Sequence, residues 1–485
     1  MATAYIDDKD ERRNNWQPMP PRDMRLHPRR RMRLAADTPV EWAAMLFELM
    51  DVWRAKLPKN QLRQRYYDGK NALKDFGISI PPQLLTVETV VGWPQKAVDA
   101  LAVRSRFDGF SCASEELQAQ VDAIAARSRL KLKYRQGVQS ELIHSCEFAV
   151  VGVDDNGRAR IDFYNAQDAA AVYDDAAGRI AYGMVIEEWR DGAPAVIALY
   201  ADEGRMLFVD EGAYYDWTFE PYMMGRPCMD VFAYRPTETR PFGQSRISRA
   251  VRSITDSAVR VALGGDVAYS FSVSPQKYLL GADANTFANK PKWEAYIGSI
   301  FAVGRDENGD LPQFGQLSQA SMQQTVDYFR TLAARFSGET NVPLSTLGVI
   351  HDQPASAEAI YAANEPLIIE CEDLNDNSRS TLQTLARMAV AAEVNVPVDE
   401  LDVDEAGIVA NFKNPAMPSI VSQADAMVKL ASVLPGFAGT DVFFEQIGFA
   451  EDIRKKAENE IARANASFSL QSLLSSERLN ENANA

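Results

Sequence analysis

Hydrophobic spacing changes at Glu147, and no single class of regular structure accommodates both sides of that change. Upstream, apolar residues fall at helical spacing: Trp42, Met45, Leu46, Leu49 and Trp53, then Val90, Val91, Trp93 and Val98, then Leu117, Val121 and Ile124. From Glu147 to about residue 218 the runs become β-prone, as in EFAVVGV, RARIDFY and AVIALY, with Asn156-Gly157 and Ala177-Gly178 at hairpin turns. Residues 147–218 therefore read as one antiparallel sheet behind a helical layer, and the chain as an α+β fold.

Helix ends are marked by residues that can satisfy or stop them. Thr38 is the expected N-cap of the first helix, with Pro39 at its first position, and Ser114 caps another. The breakers of RPTETRPFGQS end the sheet, and a two-faced helix is predicted from Ser245. Ile247, Val251, Ile254, Ala258, Val261 and Ala262 share one face, and Arg246, Arg249, Ser253, Asp256 and Arg260 another. A small insertion follows, with strands PQKYLL and SIFAV, a short helix at 292–297 and a turn at 306–310. A second amphipathic helix carries Met322, Val326, Phe329, Ala333 and Phe336, and Gly338 and Pro343 are expected to stop it. The loop beyond contains Val342, Leu344, Leu347, Val349, Ile350 and His351, too apolar for a freely solvated connection. Ser356 then caps a long helix to about Ala392, in which Pro366 predicts a kink near Ala362 and Ala363. Helices at 419–434 and 441–466 precede a polar tail.

Charge and missing motifs narrow the function. With 51 basic against 67 acidic side chains, net charge −16, the surface as a whole cannot bind nucleic acid by neutralising phosphates. The one basic cluster is Arg29, Arg30, Arg31 and Arg33 in a Pro/Arg-rich arm over 1–38. Cys112, Cys146, Cys228 and Cys371 are far apart, which suits a reducing compartment, and no stretch is apolar enough for a membrane span, so a soluble, unsecreted protein is expected. Phosphate-binding loops, dinucleotide-binding turns, nucleophile elbows and HExxH pairs are missing from the sequence. His27, His144 and His351 are well separated, and Asp154, Asp155, Asp174, Asp175 and Asp202 read as turn formers. No catalytic residue, cofactor or metal is expected; a carboxylate pair assembled by folding stays open as a hydrolase alternative.

The order of these segments, with QRYYDGKNAL, PFGQSRISRAVRSITDSAVR and PASAEAIYAANEPLI, resembles the portal proteins of tailed bacteriophages, in the siphovirus group related to the portal of the Bacillus phage SPP-one. The resemblance spans about residues 40–463. It implies a portal-type fold: a wing over 39–240, a first stem helix over 241–272, a clip over 273–316, a second stem helix over 317–337, a tunnel loop over 338–355, a long kinked helix and wing return over 356–418, and crown helices over 419–485. The same resemblance implies a dodecameric ring at the unique capsid vertex of the virion, assembled in the host cytoplasm. Double-stranded DNA would pass through it during packaging and ejection, and the terminase large subunit and later the head-tail adaptor would dock on it. Major capsid and scaffolding proteins would be further partners, and no membrane would be involved.

Under this resemblance the loop residues named above would form the channel constriction, and Arg246, Arg249, Asp256 and Arg260 would face the channel. Ile247, Val251, Ile254, Met322, Val326, Phe329 and Phe336 would pack the stem. An acidic wall with sparse arginine suits sliding DNA, because a strongly basic one would hold phosphates. Another virion ring or connector is the nearest alternative, though adaptors are generally much shorter. A membrane-associated scaffold is disfavoured because the helices lack a strongly basic face.

Overall fold

The structure, a computed structural model, describes residues 32–70, 89–273, 277–280, 313–316, 322–349, 357–401, 407–416 and 420–434, with isolated positions beyond. The chain divides into a unit Met1–Pro415 and a unit Ala416–Ala485. The helix at 292–297, the strand SIFAV, the turn at 306–310, Arg29 to Arg31, Ile350, His351 and most of 441–466 lie outside the described residues.

In the first unit, helix α1 (Val40–Tyr67) buries Trp42, Leu46, Leu49, Met50, Trp53 and Leu57. That stripe lies on a sheet whose inward residues include Met184, Ile186, Ile197, Leu199 and Phe208. Two bonds fix its register: the Trp53 indole N–H donates to the Gln167 carbonyl at 2.7 Å, and the Asn60 amide to that of Ala166 at 2.9 Å. Thr38 does not cap this helix. Its hydroxyl donates to the Ala35 carbonyl at 2.8 Å, and Pro39 occupies the cap position. The arm is also not wholly free, since Tyr215 donates its backbone N–H to the Arg33 carbonyl at 2.8 Å.

Next come α2 (Trp93–Ala102), β1 (Phe107–Ser111), α3 (Glu115–Arg127) and α4 (Leu130–His144). Ser114 caps α3 as expected, its Oγ accepting from the Leu117 N–H at 3.2 Å. The strands that follow form two sheets where one was expected. β2 (Cys146–Val153) and β3 (Ala159–Asn165) make the Asn156-Gly157 hairpin, and β9 (Met229–Ala233) adds to the other side of β2 in the order β3-β2-β9. β4 (Ala169–Asp174), β5 (Arg179–Arg190), β6 (Ala193–Ala201), β7 (Gly204–Asp210) and β8 (Tyr215–Pro221) form a separate antiparallel meander. The hairpin chemistry was legible because it is local; the return strand β9 was not, because its partner Cys146–Val153 lies far back in the chain.

Helix α5 (Arg249–Val273) begins four residues later than expected, with the Ser248 Oγ accepting from the Val251 N–H at 3.1 Å. Ser245 instead donates its hydroxyl to the Ile143 carbonyl at 2.6 Å. Beyond it, β10 (Lys277–Leu280) pairs antiparallel with β11 (Gln313–Gln316). Helix α6 (Gln323–Thr340) runs through Gly338 and stops at Asn341, whose φ of 56° takes the left-handed conformation that ends helices. A 3-10 turn (Leu344–Leu347) leads towards α7 (Ala357–Val394), a continuous helix of 38 residues with Pro366 inside it. β12 (Val409–Phe412) returns to pair with β1. In the second unit, α8 (Ile420–Val433) exposes Val428, Leu430 and Val433.

Candidate functional site

The residues proposed for a channel wall part company in the structure. Arg246 is 5% exposed, so it cannot present its charge to an axial channel. Its Nε donates to the Ala97 carbonyl at 2.6 Å, one terminal nitrogen to the Tyr234 hydroxyl at 2.8 Å and to Glu370, and the other to the Thr340 carbonyl at 2.6 Å. Glu370, equally buried, also receives the Tyr234 hydroxyl and the side-chain amide of Asn341 at 3.2 Å, and Arg235 lies 3.1 Å from it. Burial pushes this carboxyl up, but Arg246, the Tyr234 hydroxyl and Arg235 hold it below the usual carboxylate range. The guanidinium thus joins α2, the end of β9, the start of α5, the end of α6 and the middle of α7.

Asp256 is turned inward as well: both of its oxygens accept from the Tyr66 hydroxyl, at 2.8 and 2.9 Å. Arg249, Ser253 and Arg260 of the predicted face keep exposed side chains. The polar stripe was read correctly as polar, yet Arg246 and Asp256 within it answer polar groups inside the subunit. A signal for the hub existed. Glu370 interrupts the stripe Leu367, Cys371 and Leu374, where a charge must find a partner.

The expected apolar contact between α5 and α6 forms within one subunit at its inner end. Ile247, Val251, Ile254, Ala258 and Phe336 are buried, and Trp93 of α2 sits 5.1 Å from the Phe329 ring and 5.3 Å from that of Phe336. Met322 is half-buried, while Val326 remains 42% exposed. The loop after α6 departs from its expectation. Val342 has no exposed surface and Leu347 is buried, and Leu344 and Val349 pack on the same core. Val342 and Leu347 are structural members of the subunit, so they do not line a constriction.

A carboxylate pair does converge next to a cavity of about 440 Å³ that Glu147, Ser140, His144, Gln139, Asn165 and Gln167 help to line. Burial, then the proximity of Glu147, raises the Glu141 carboxyl well above its ordinary range, and burial pushes Glu147 up to about 8. Burial together with Arg63 lowers His144 to about 3, so its ring is neutral. Glu141 is 1% exposed and does not line the cavity, so it cannot reach a substrate, as an acid catalyst must. Among the described residues no group of three or more His, Cys, Asp or Glu could hold a metal ion, and no helix is long and apolar enough to cross a membrane. The four cysteines are free thiols.

No family model matches the sequence. Two relatives are similar across most of it. The portal protein of Mycobacterium phage D29 is 23% identical over 419 residues, covering 82% of this chain and 84% of the relative. The portal protein of Mycobacterium phage L5 is 23% identical over 391 residues, covering 75% and 77%. Among solved structures, a chain of the virion of a native gene transfer agent particle is 13% identical with a TM-score of 0.39, covering 74% of this chain and 90% of that one. A chain of the neck of an empty particle of that kind is 11% identical with a TM-score of 0.40, covering 77% and 95%. The relatives are structural proteins and not enzymes. Over at least three quarters of its length, this chain is similar to the portal proteins of two bacteriophages.

Proposed function

We propose that the chain is a phage portal protein, a subunit of a ring at the capsid vertex of a tailed-phage virion through which double-stranded DNA is packaged and ejected. The observation that carries this reading is the similarity to two phage portal proteins over at least three quarters of both partners' lengths. In this reading α5 and α6 are the stem, the segment over 273–316 is the clip, α7 is the long wing helix and α8 belongs to the crown. The ring is a dodecamer of the siphovirus type. Its clip receives the terminase large subunit and then the head-tail adaptor, and its outer surface meets capsid and scaffolding proteins. The exposed Val326 on α6 supplies an apolar contact to the neighbouring subunit, and Arg260 is an exposed arginine that faces the channel.

Negative-stain microscopy of the purified protein tests the reading: closed rings with an axial hole are the expected result. Monomers or open filaments at micromolar concentration would overturn it, since a heterologous interface closes into a ring only if its rotation does.

A further inference from the structure

A second cavity, of about 660 Å³, lies between α1, the start of β4, the segment over 239–245 and the start of α5. Six cations line it: Lys56, Lys59, Arg63, Arg240, Arg249 and Arg252. No aspartate or glutamate is among its lining residues, in a chain with net charge −16. None of the six forms an ion pair among the described residues. Arg63 donates to the Asn60 side-chain oxygen at 3.2 Å and to the His144 carbonyl at 2.6 Å, and Arg252 reaches only the Ser248 carbonyl at 3.4 Å and the Tyr66 ring at 5.8 Å.

Elsewhere the chain matches its cations with carboxylates, as in Arg127–Glu393 at 2.8 Å, Lys133–Asp162 at 2.6 Å and Arg205–Glu187 at 2.7 Å. Like charges gathered without counter-charges repel one another. Burial first, and then the like charge of Arg252, depress the pKa of Arg63, and the second of these causes is that repulsion. An anion from outside the subunit would relieve it.

The walls decide between anions. Single-stranded nucleic acid needs open aromatic faces on which bases can stack. Here the Phe148 and Phe242 rings pack on each other at 5.9 Å, tilted by 54°, and Trp53 is 2% exposed with its N–H committed to the Gln167 carbonyl, so these three rings offer no open stacking face. Beside the polar Thr239, Gln244, Ser245 and Ser248, the lining includes the small apolar Ala166, Ala169, Ala170 and Ala171, on which a short aliphatic side chain can rest. We propose that this cleft docks an acidic peptide segment of a partner protein, its carboxylates held by the six cations and an apolar side chain seated on the alanines.

The test uses the full chain and a short fluorescein-labelled peptide alternating glutamate with leucine, read by fluorescence anisotropy at low salt. Binding is expected, weakening as salt rises. The double substitution Lys59→Glu and Arg240→Glu, both at exposed positions, should weaken it on the order of tenfold. Lys131→Glu with Arg190→Glu makes the same change in net charge away from the cleft and should leave affinity within about twofold. Absence of binding, equal loss in both double variants, or displacement of the peptide by a thymidine oligonucleotide at lower concentration would each overturn the proposal, the last in favour of a nucleic-acid site. Sedimentation of the same samples reports ring assembly separately, so a failed cleft and a failed portal reading are told apart.

Discussion

Removing the guanidinium of Arg246 would take from the buried Glu370 carboxylate its one buried cation, leaving Tyr234, Asn341 and the more exposed Arg235, and the penalty for breaking a buried pair in this way is about 3–5 kcal/mol. Arg246→Ala is therefore expected to lose about that much in urea unfolding at neutral pH, whereas Arg246→Met combined with Glu370→Leu should recover much of it. Glu370 has a depressed folded-state pKa, so its contribution is present above the ordinary carboxylate value and is lost as pH falls through the depressed one. The deficit of Arg246→Ala should shrink in acid. Glu147 has the opposite sign: the folded protein keeps its proton up to about pH 8, while the unfolded chain releases it near 4.5. Stability from this group is complete below the lower value and lost as pH rises through the upper one. Glu147→Gln should raise the melting temperature more at pH above about 8 than near pH 5, measured by calorimetry against the parent.

Between elements, α5 and α6 are closed against the core at one end of their contact and leave an apolar residue exposed towards the other. Their inner ends are closed by Phe336 and Val342, neither with exposed surface, and by the Trp93 ring. Phe336→Ala should cost about 3–5 kcal/mol in chemical unfolding, as large-to-small core changes do. The outer part of α6 carries Val326, 42% exposed in the subunit. Val326→Asp should therefore melt like the parent by circular dichroism and yet sediment as smaller species, which separates assembly from folding. If the variant still forms rings, α6 does not supply the neighbour contact. The loop after α6 behaves as part of this joint: Val342→Asp would bury an unpaired charge and should destabilise the subunit itself before any effect on a channel is seen.

For the whole molecule, acidity and the internal commitment of Arg246 and Asp256 act together. A wall that keeps few exposed arginines offers DNA phosphates only shallow wells, and their depth falls with salt. Arg260→Ala should leave ring assembly and melting temperature unchanged while altering genome retention in a salt-dependent way, measured as DNA released from filled particles. Normal retention at every salt concentration would remove Arg260 from the channel wall. The basic cleft is the local exception to the acidic surface, and it belongs to the flank of α1 and the start of α5.

Local physics made much of this chain legible without coordinates. The α3 cap at Ser114, the Asn156-Gly157 hairpin, the apolar stripe of α1 and the length of α7 each depend on residues within a few positions of one another, and each appears where spacing and turn chemistry put it. The α+β class followed from the same periodicities, and the lack of nucleotide-binding and catalytic motifs pointed away from an enzyme. Tertiary structure alone decided which side of a polar stripe faces inward. Arg246 and Arg260 both lie on the polar face read from the sequence, and nothing local distinguishes them. What does is a carboxylate 124 residues away from Arg246 that is buried and must be paired. The cleft has the same origin, since its cations come from α1, from the segment leading into α5 and from the start of α5 itself, and only folding brings their charges together without a counter-charge between them.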